Sequence, residues 1–298
     1  MSYPMPGNSC LHARRPKLLK FAVMSFALLG ALQSTAWAAD KTPNELLPDT
    51  IRKAGEISVA ANPSYPPFDF KNEAGESVGL EAALMGAMAE KLRVRLKFTG
   101  IEFASILPGV NAGRFDVGIG GYSNTEERRK VVEFVNYLYA VDGLVVRKGN
   151  PDKISIDKPC GKNISSSQGS YQSVNLAVLS QKCVAEGKPA IDMPVFQGTP
   201  AQVVALKSGR IQASNIDKAV GSYLVKKDPE NIEEVPGVLL NASGNKLLMG
   251  FILKKGETEL ATALQAALNE VIKDGEYARI LKDWNITDNA AVSESTLN

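Results

Sequence analysis

The chain reads as an α/β protein of two lobes, and three observations predict it. Strand-like and helix-like periods alternate as β, α, β, α, β between Ile57 and Gly120, a second such series begins beyond about Gly143, and a late strand-like run, Leu247 to Leu253, leads into a strongly amphipathic helix. Strands alternating with helices imply largely parallel sheets with helices on both faces. In chain order, Ile57 to Ala61 reads as a buried strand, and Leu80, Leu84, Met88 and Leu92 recur every fourth residue as one helix face. Val94 to Phe98 alternates apolar and basic residues as a strand does. A helix from about Phe103 to Ala112 leads through Gly113 to a strand at Phe115 to Gly120. In the second series, strands are expected at Ile164 to Ser166, Ile191 to Phe196 and Ile211 to Asn215, and helices at Tyr171 to Cys183, Ala201 to Leu206 and Asp217 to Val225. The run at Leu247 returns the chain to the first lobe, where Leu260, Leu264, Leu268, Val271 and Ile272 form one helix face ended by Gly275, before a short helix from Tyr277 to Trp284. Two crossings make a two-strand hinge, expected near Tyr139 to Gly143 and Gly244 to Met249. The domains are then lobe 1 at 53–140 and 249–298 and lobe 2 at 141–248, with a flexible arm at 39–52 and a frayed tail after Asp288.

The first 38 residues are expected to be an export signal. His12, Arg14, Arg15, Lys17 and Lys20 form a basic region, Phe21 to Leu32 an apolar core, and Ala36-Trp37-Ala38 a cleavage signal. No later run reaches the roughly 18 apolar residues of a membrane span. Removing residues 1–38 leaves 30 Lys and Arg against 32 Asp and Glu, a net charge of −2. That balance, without a concentrated basic run, argues against nucleic acid as a partner. The single histidine, His12, also departs. A mature chain without histidine has no Ser-His or Cys-His nucleophile and no histidine-ligated zinc, and no metal or cofactor is expected. Of three cysteines, Cys160 and Cys183 remain; an even pair in an exported chain reads as a disulfide, the alternative being two buried thiols. No cysteine follows the cleavage site to carry a lipid anchor.

Thr125-Glu126-Glu127-Arg128 follows the strand-like run ending in Gly120-Gly121. An arginine on the first turn of a helix there can fork onto a carboxylate with two parallel hydrogen bonds, with Thr125 as N-cap. The alternative is that Arg128 pairs with Glu126 or Glu127 on a solvated face. Together with Tyr65-Pro66-Pro67-Phe68 and Gly79-Leu80-Glu81, this segment resembles the polar amino-acid-binding proteins of bacterial ABC importers, the family 3 type of extracellular solute-binding receptor, from about Gly55 to Trp284. The resemblance implies the type II periplasmic binding protein fold and a soluble, monomeric periplasmic receptor. Such a receptor closes around an L-amino acid and docks on the membrane permease of an ABC transporter.

Carried onto this chain, the resemblance assigns Arg128 to the ligand carboxylate, with backbone N–H groups of Gly169 and Ser170 taking it from the other lobe. It assigns Asp217 to the ammonium, with Gly121 and Ser123 supplying a carbonyl and a hydroxyl. Tyr65, Phe103 and Tyr122 are the expected aromatic walls, with Phe68 in the core. Asn62 stands where several relatives use aspartate, so a strongly cationic guest loses support. Glu81, Ala83 and Gln212 replace aspartates of the family pattern and concern lobe structure. The runner-up function is a periplasmic cyclohexadienyl dehydratase-like enzyme on the same scaffold, recruiting Glu81 or Asp217 as its acid. An exported sensory or adhesive protein is a more distant reading.

Overall fold

The computed structural model describes residues 41–239, 246–286 and 290–298. The expected signal segment lies outside the described residues, as do residues 244 and 245 of the expected second crossing. The segment expected as a flexible arm is ordered from Lys41: a 3-10 turn at Pro43–Leu46 leads into α1 (Asp49–Ala54). Leu47 is buried against the first core and Asn44 donates to the Leu92 carbonyl at 2.6 Å, which ties this stretch down.

Next come β1 (Glu56–Ala61), three short strands β2 (Ser64–Tyr65), β3 (Asp69–Lys71) and β4 (Ser77–Val78), and α2 (Leu80–Leu92). Then follow β5 (Arg95–Gly100), α3 (Phe103–Asn111), β6 (Val117–Ser123), α4 (Glu126–Arg129) and β7 (Val132–Ala140). After Val141 the chain enters β8 (Asp142–Arg147), β9 (Ile164–Ser167), α5 (Tyr171–Ala185), β10 (Val195–Phe196), α6 (Thr199–Lys207), β11 (Ala213–Asp217), α7 (Lys218–Lys227) and β12 (Ile232–Glu234). It closes with β13 (Leu247–Lys254), α8 (Thr258–Lys273) and α9 (Glu276–Asp283).

Two five-stranded sheets result, ordered β5-β1-β6-β13-β7 and β10-β9-β11-β8-β12, with β2-β3-β4 as a small third sheet. As expected the sheets are mainly parallel in direction: in each, four of the five strands run one way and a single strand is reversed. In the first sheet β1 pairs in parallel with β5 and β6, but β13 runs antiparallel to β6 and β7. In the second, β9 is parallel to β10 and β11, while β8 is antiparallel to β11 and β12. The antiparallel half of each sheet is made by strands that enter or leave the hinge. β7 ends one residue before β8 begins, and beside that crossing Leu239 bridges Asp142 while Leu247 pairs with Ala140.

Helices cover the first sheet on both sides. α2, α8 and α9 seal one face with Leu84, Met88, Leu264, Leu268 and Ile280 against Val59, Val117 and Phe251. α3 seals the other through Ile106 and Val110. A Cβ on Gly118 would stand 2.7 Å from Ile106 and 2.8 Å from Ile252, so the absence of a side chain there sets how closely α3 lies on the sheet. In the second lobe Leu144, Ile164, Leu176 and Ala213 pack one face of the sheet. A disulfide joins Cys160 to Cys183, Cα to Cα 5.6 Å, pinning the loop before β9 to the last turn of α5. The tail expected to fray runs along β7 instead. Ala291 bridges Leu138, Leu297 bridges Val135, and the Ser295 hydroxyl donates to the Asn136 carbonyl at 2.8 Å.

Candidate functional site

The first-lobe wall is set by the end of β6. Gly121 has φ +72°, and a Cβ there would meet the Tyr65 ring at 2.9 Å, so only glycine lets the chain turn beneath that ring. The Gly121 N–H donates to the buried Glu81 carboxyl at 3.1 Å, and Tyr137 Oη donates to the same group at 2.7 Å. Burial pushes the Glu81 carboxyl up to about 8, against the pull of those hydrogen bonds. Beyond Ser123 the chain turns into α4, where the Thr125 hydroxyl accepts the Arg128 N–H at 3.3 Å, the expected N-cap.

Arg128 does not pair with its neighbours on α4; Glu127 is bound by Lys130 at 2.6 Å. Its guanidinium lies over the Tyr122 ring, 5.1 Å from the centroid, and donates to the Ser123 carbonyl and to the Gly169 carbonyl, each at 2.9 Å. The second bond crosses from one lobe to the other. Burial pulls the guanidinium below its ordinary pKa, opposed by Tyr122 and Asp217, and arginine stays charged at neutral pH all the same.

On the second lobe, Ser170 caps α5, its hydroxyl accepting from Ser173 N at 3.3 Å. The Ser170 N–H is turned to the Ser167 carbonyl at 3.2 Å, and Gly169 presents its carbonyl to Arg128. In this conformation the loop therefore offers the cleft an acceptor, where a donor pair was expected. Asp217 ends β11 directly opposite Asp142 of β8. One Asp217 oxygen, Oδ2, accepts from Tyr65 Oη and from Gln172 Nε2 at 3.4 Å, while Oδ1 is buried without a partner. Gln172 also donates to Asp142 at 2.8 Å, bridging the two carboxyls. Burial raises both acids, Asp217 to about 6 and Asp142 well above the ordinary carboxylate range, and the Asp217 charge adds to the rise at Asp142. Asp142 is thus the more readily protonated of the two.

Asn62, Tyr65, Phe103, Gly121, Ser123, Arg128 and Ser170 line one cleft between the lobes. Asp217 is not on this lining: it lies behind it, hydrogen-bonded to the lining residues Tyr65 and Gln172, and faces a separate pocket with Phe68, Lys218 and Met249. Tyr122 is not on the wall. It is buried behind Phe103, the rings stacked at 4.6 Å, and its hydroxyl donates to the Phe103 carbonyl at 2.8 Å. Its place is under Arg128, as a platform. Tyr65 stacks on Phe68 at 5.6 Å, so the two expected wall aromatics each rest on a second ring. Sequence reasoning missed Gln172, Thr199 and Asn215, which also line the cleft, and Asp142 behind it. Asn215 was legible in principle, since it lies two residues before Asp217 on β11 and a strand repeats its facing every second residue.

Among the described residues no group of three or more His, Cys, Asp or Glu could hold a metal ion, and no helix is long and apolar enough to cross a membrane. Residues 57–287 match the bacterial extracellular solute-binding proteins, family 3, and the chain belongs to that family. It is 29% identical over 258 residues to the arginine-binding protein ArgT of Corynebacterium glutamicum, covering 85% of this chain and 83% of that one. Among solved structures it resembles an ancestral arginine-binding protein bound to arginine, with TM-score 0.68 and 32% identity, covering 77% of this chain and 98% of the other. It also resembles the ancestral amino acid-binding protein AncCDT-1, described as a precursor of cyclohexadienyl dehydratase. There the TM-score is 0.66 and the identity 27%, over 79% of this chain and 98% of that one.

Proposed function

We propose that this family 3 solute-binding protein is the periplasmic receptor of an amino-acid ABC transporter, which captures an L-amino acid between its lobes and hands it to the membrane permease. The observation that carries the reading is the placing of Arg128 and Asp217. They come from different lobes, Arg128 on the cleft lining and Asp217 behind it against the lining residues Tyr65 and Gln172, and each spends its hydrogen bonds on uncharged groups instead of on the other. A zwitterion supplies the missing partner to both, its carboxylate to Arg128 and its ammonium to Asp217 Oδ1. Bridging both lobes, it adds contacts only the closed form has, and so it drives closure. Gly121 and Ser123 then serve the ammonium, and Tyr65 and Phe103 hold the guest's flanks. Micromolar affinity corresponds to about −8 kcal/mol, within reach of one guanidinium fork, one ammonium site and two rings.

We further infer that the protein works as a monomer, with lobe 1 at 53–140 and 249–298, lobe 2 at 141–248, and residues 1–38 removed on export. We read it as a binder without catalysis. Glu81, one acid a dehydratase would recruit, is spent on Gly121 and Tyr137 and lies off the cleft lining. Release of an aromatic product from prephenate or arogenate would refute that part. The receptor reading is tested by calorimetry on Arg128→Ala, which is expected to weaken amino-acid binding by at least 100-fold with an unchanged circular dichroism spectrum. Retained affinity would remove Arg128 from the site.

A further inference from the structure

Asn215 brings both a donor and an acceptor to the cleft and uses neither. It is 1% exposed, it lines the cleft, and its Nδ2 and Oδ1 have no hydrogen-bond partner among the described residues. Because both ends of the amide are unanswered, nothing depends on which end is oxygen. Thr199, at the start of α6 and 3% exposed, lines the same cleft with its hydroxyl likewise unpartnered. Buried polar groups are ordinarily paired, and two such side chains facing one cleft mark a place where a guest completes the bonding. The charge pattern points the same way. Asn62 faces this cleft from the first lobe, no Asp or Glu is among the lining residues, and Arg128 is the charged one.

We propose, building on the receptor reading above, that the side-chain end of the cleft is made for an uncharged carboxamide, so that the preferred guest is an amino acid of the glutamine and asparagine class. A primary amide donates through its N–H2 and accepts at its carbonyl, and Asn215 can answer both at once, head to tail, with the Thr199 hydroxyl taking whichever role is left. A guanidinium or ammonium only donates: it leaves the Asn215 N–H2 unanswered and meets no anion at this end. A carboxylate only accepts and leaves the Asn215 oxygen bare. An aliphatic side chain strands all three groups. Sites built to hydrogen-bond a substrate group reject analogues lacking it far more strongly than apolar pockets reject a misfit of size. The cationic guest in the names of the similar proteins is therefore not expected here.

Isothermal titration calorimetry of the purified protein with glutamine, asparagine, arginine, lysine, glutamate and leucine tests the ranking. One of the two amides is expected to bind at least tenfold more tightly than any of the other four. Asn215→Leu keeps the branching and the number of heavy atoms and removes the polar ones; it is expected to lose at least tenfold in amide affinity and to stop discriminating against leucine. Asn62→Asp, on the facing wall, is expected to raise arginine affinity. Arginine, lysine, glutamate or leucine matching the better amide overturns the proposal, as does an Asn215→Leu protein with its preference intact. Should that variant not fold, the ranking on the parent protein decides alone. A protein that binds none of the six defeats the receptor reading along with this one, whereas a tightly held cationic guest defeats only the carboxamide assignment.

Discussion

Asp217 and Asp142 face each other across two antiparallel strands with Gln172 between them, and that arrangement makes recognition depend on pH. In the binding mode proposed above the guest's ammonium needs Asp217 as carboxylate, and burial has lifted its pKa from 3.8 to about 6. Affinity is therefore expected to be full well above pH 6 and to fall as the pH drops through 6, by up to tenfold per unit if one proton must leave. Calorimetry between pH 5 and 8 reads this directly. Asp142→Asn replaces a carboxyl that burial already holds neutral, so the profile should stay in place; a shifted profile would mean that Asp142 carries charge in the binding range. Stability of the free protein runs the other way. A carboxyl whose pKa is raised on folding favours the fold at low pH, and its contribution is lost as the pH rises from 3.8 through 6. At this scale the sequence was legible where chemistry is local: the Thr125 cap on α4 could be read from four adjacent residues. Tyr122 was misplaced because alternation along β6 turns it behind Phe103, a facing that proximity in sequence conceals. Gln172 went unread because its partners, Asp142 and Asp217, lie on β8 and β11, far from it in sequence.

At the scale of elements, the disulfide between Cys160 and Cys183 spans 23 residues, among them β9 and most of α5. Closing a loop of that length is worth roughly 3 kcal/mol in chain entropy. The double variant Cys160→Ser, Cys183→Ser should lose about that much in chemical denaturation under oxidising conditions, and equal midpoints with equal slopes would show the bridge to be energetically idle. The helices with strong periodic faces were legible to within a few residues: α2 spans Leu80–Leu92, α3 Phe103–Asn111 and α8 Thr258–Lys273. β7 was not, since it is buried along nearly its whole length and shows no alternation, only an apolar run that merges with the crossing. The small sheet that carries Tyr65 was missed for the opposite reason. Its strands are two or three residues long, too short to declare a period.

For the whole molecule, the two lobes meet along a seam that an optical probe can watch. Phe70 of the small sheet lies 5.9 Å from Tyr223 of α7, and Trp284 stands edge-on to Phe70 at 5.8 Å. In a chain that has lost residues 1–38, as proposed above, Trp284 is the one tryptophan left. Its emission is expected to shift when a guest changes the angle between the lobes, with the titration midpoint matching the calorimetric Kd. A silent Trp284 alongside measurable heat of binding would mean that this seam keeps its packing throughout. The order in which the sheets are strung has a further consequence, for synthesis and export. β13, drawn from the last quarter of the chain, lies between β6 and β7, whereas every strand of the second sheet falls between Asp142 and Glu234. A polypeptide threaded through a translocase amino end first can therefore finish its middle lobe while the opening one still waits, with a gap one strand wide, for residues yet to emerge. Until β13 emerges, the facing edges of β6 and β7 have no strand between them.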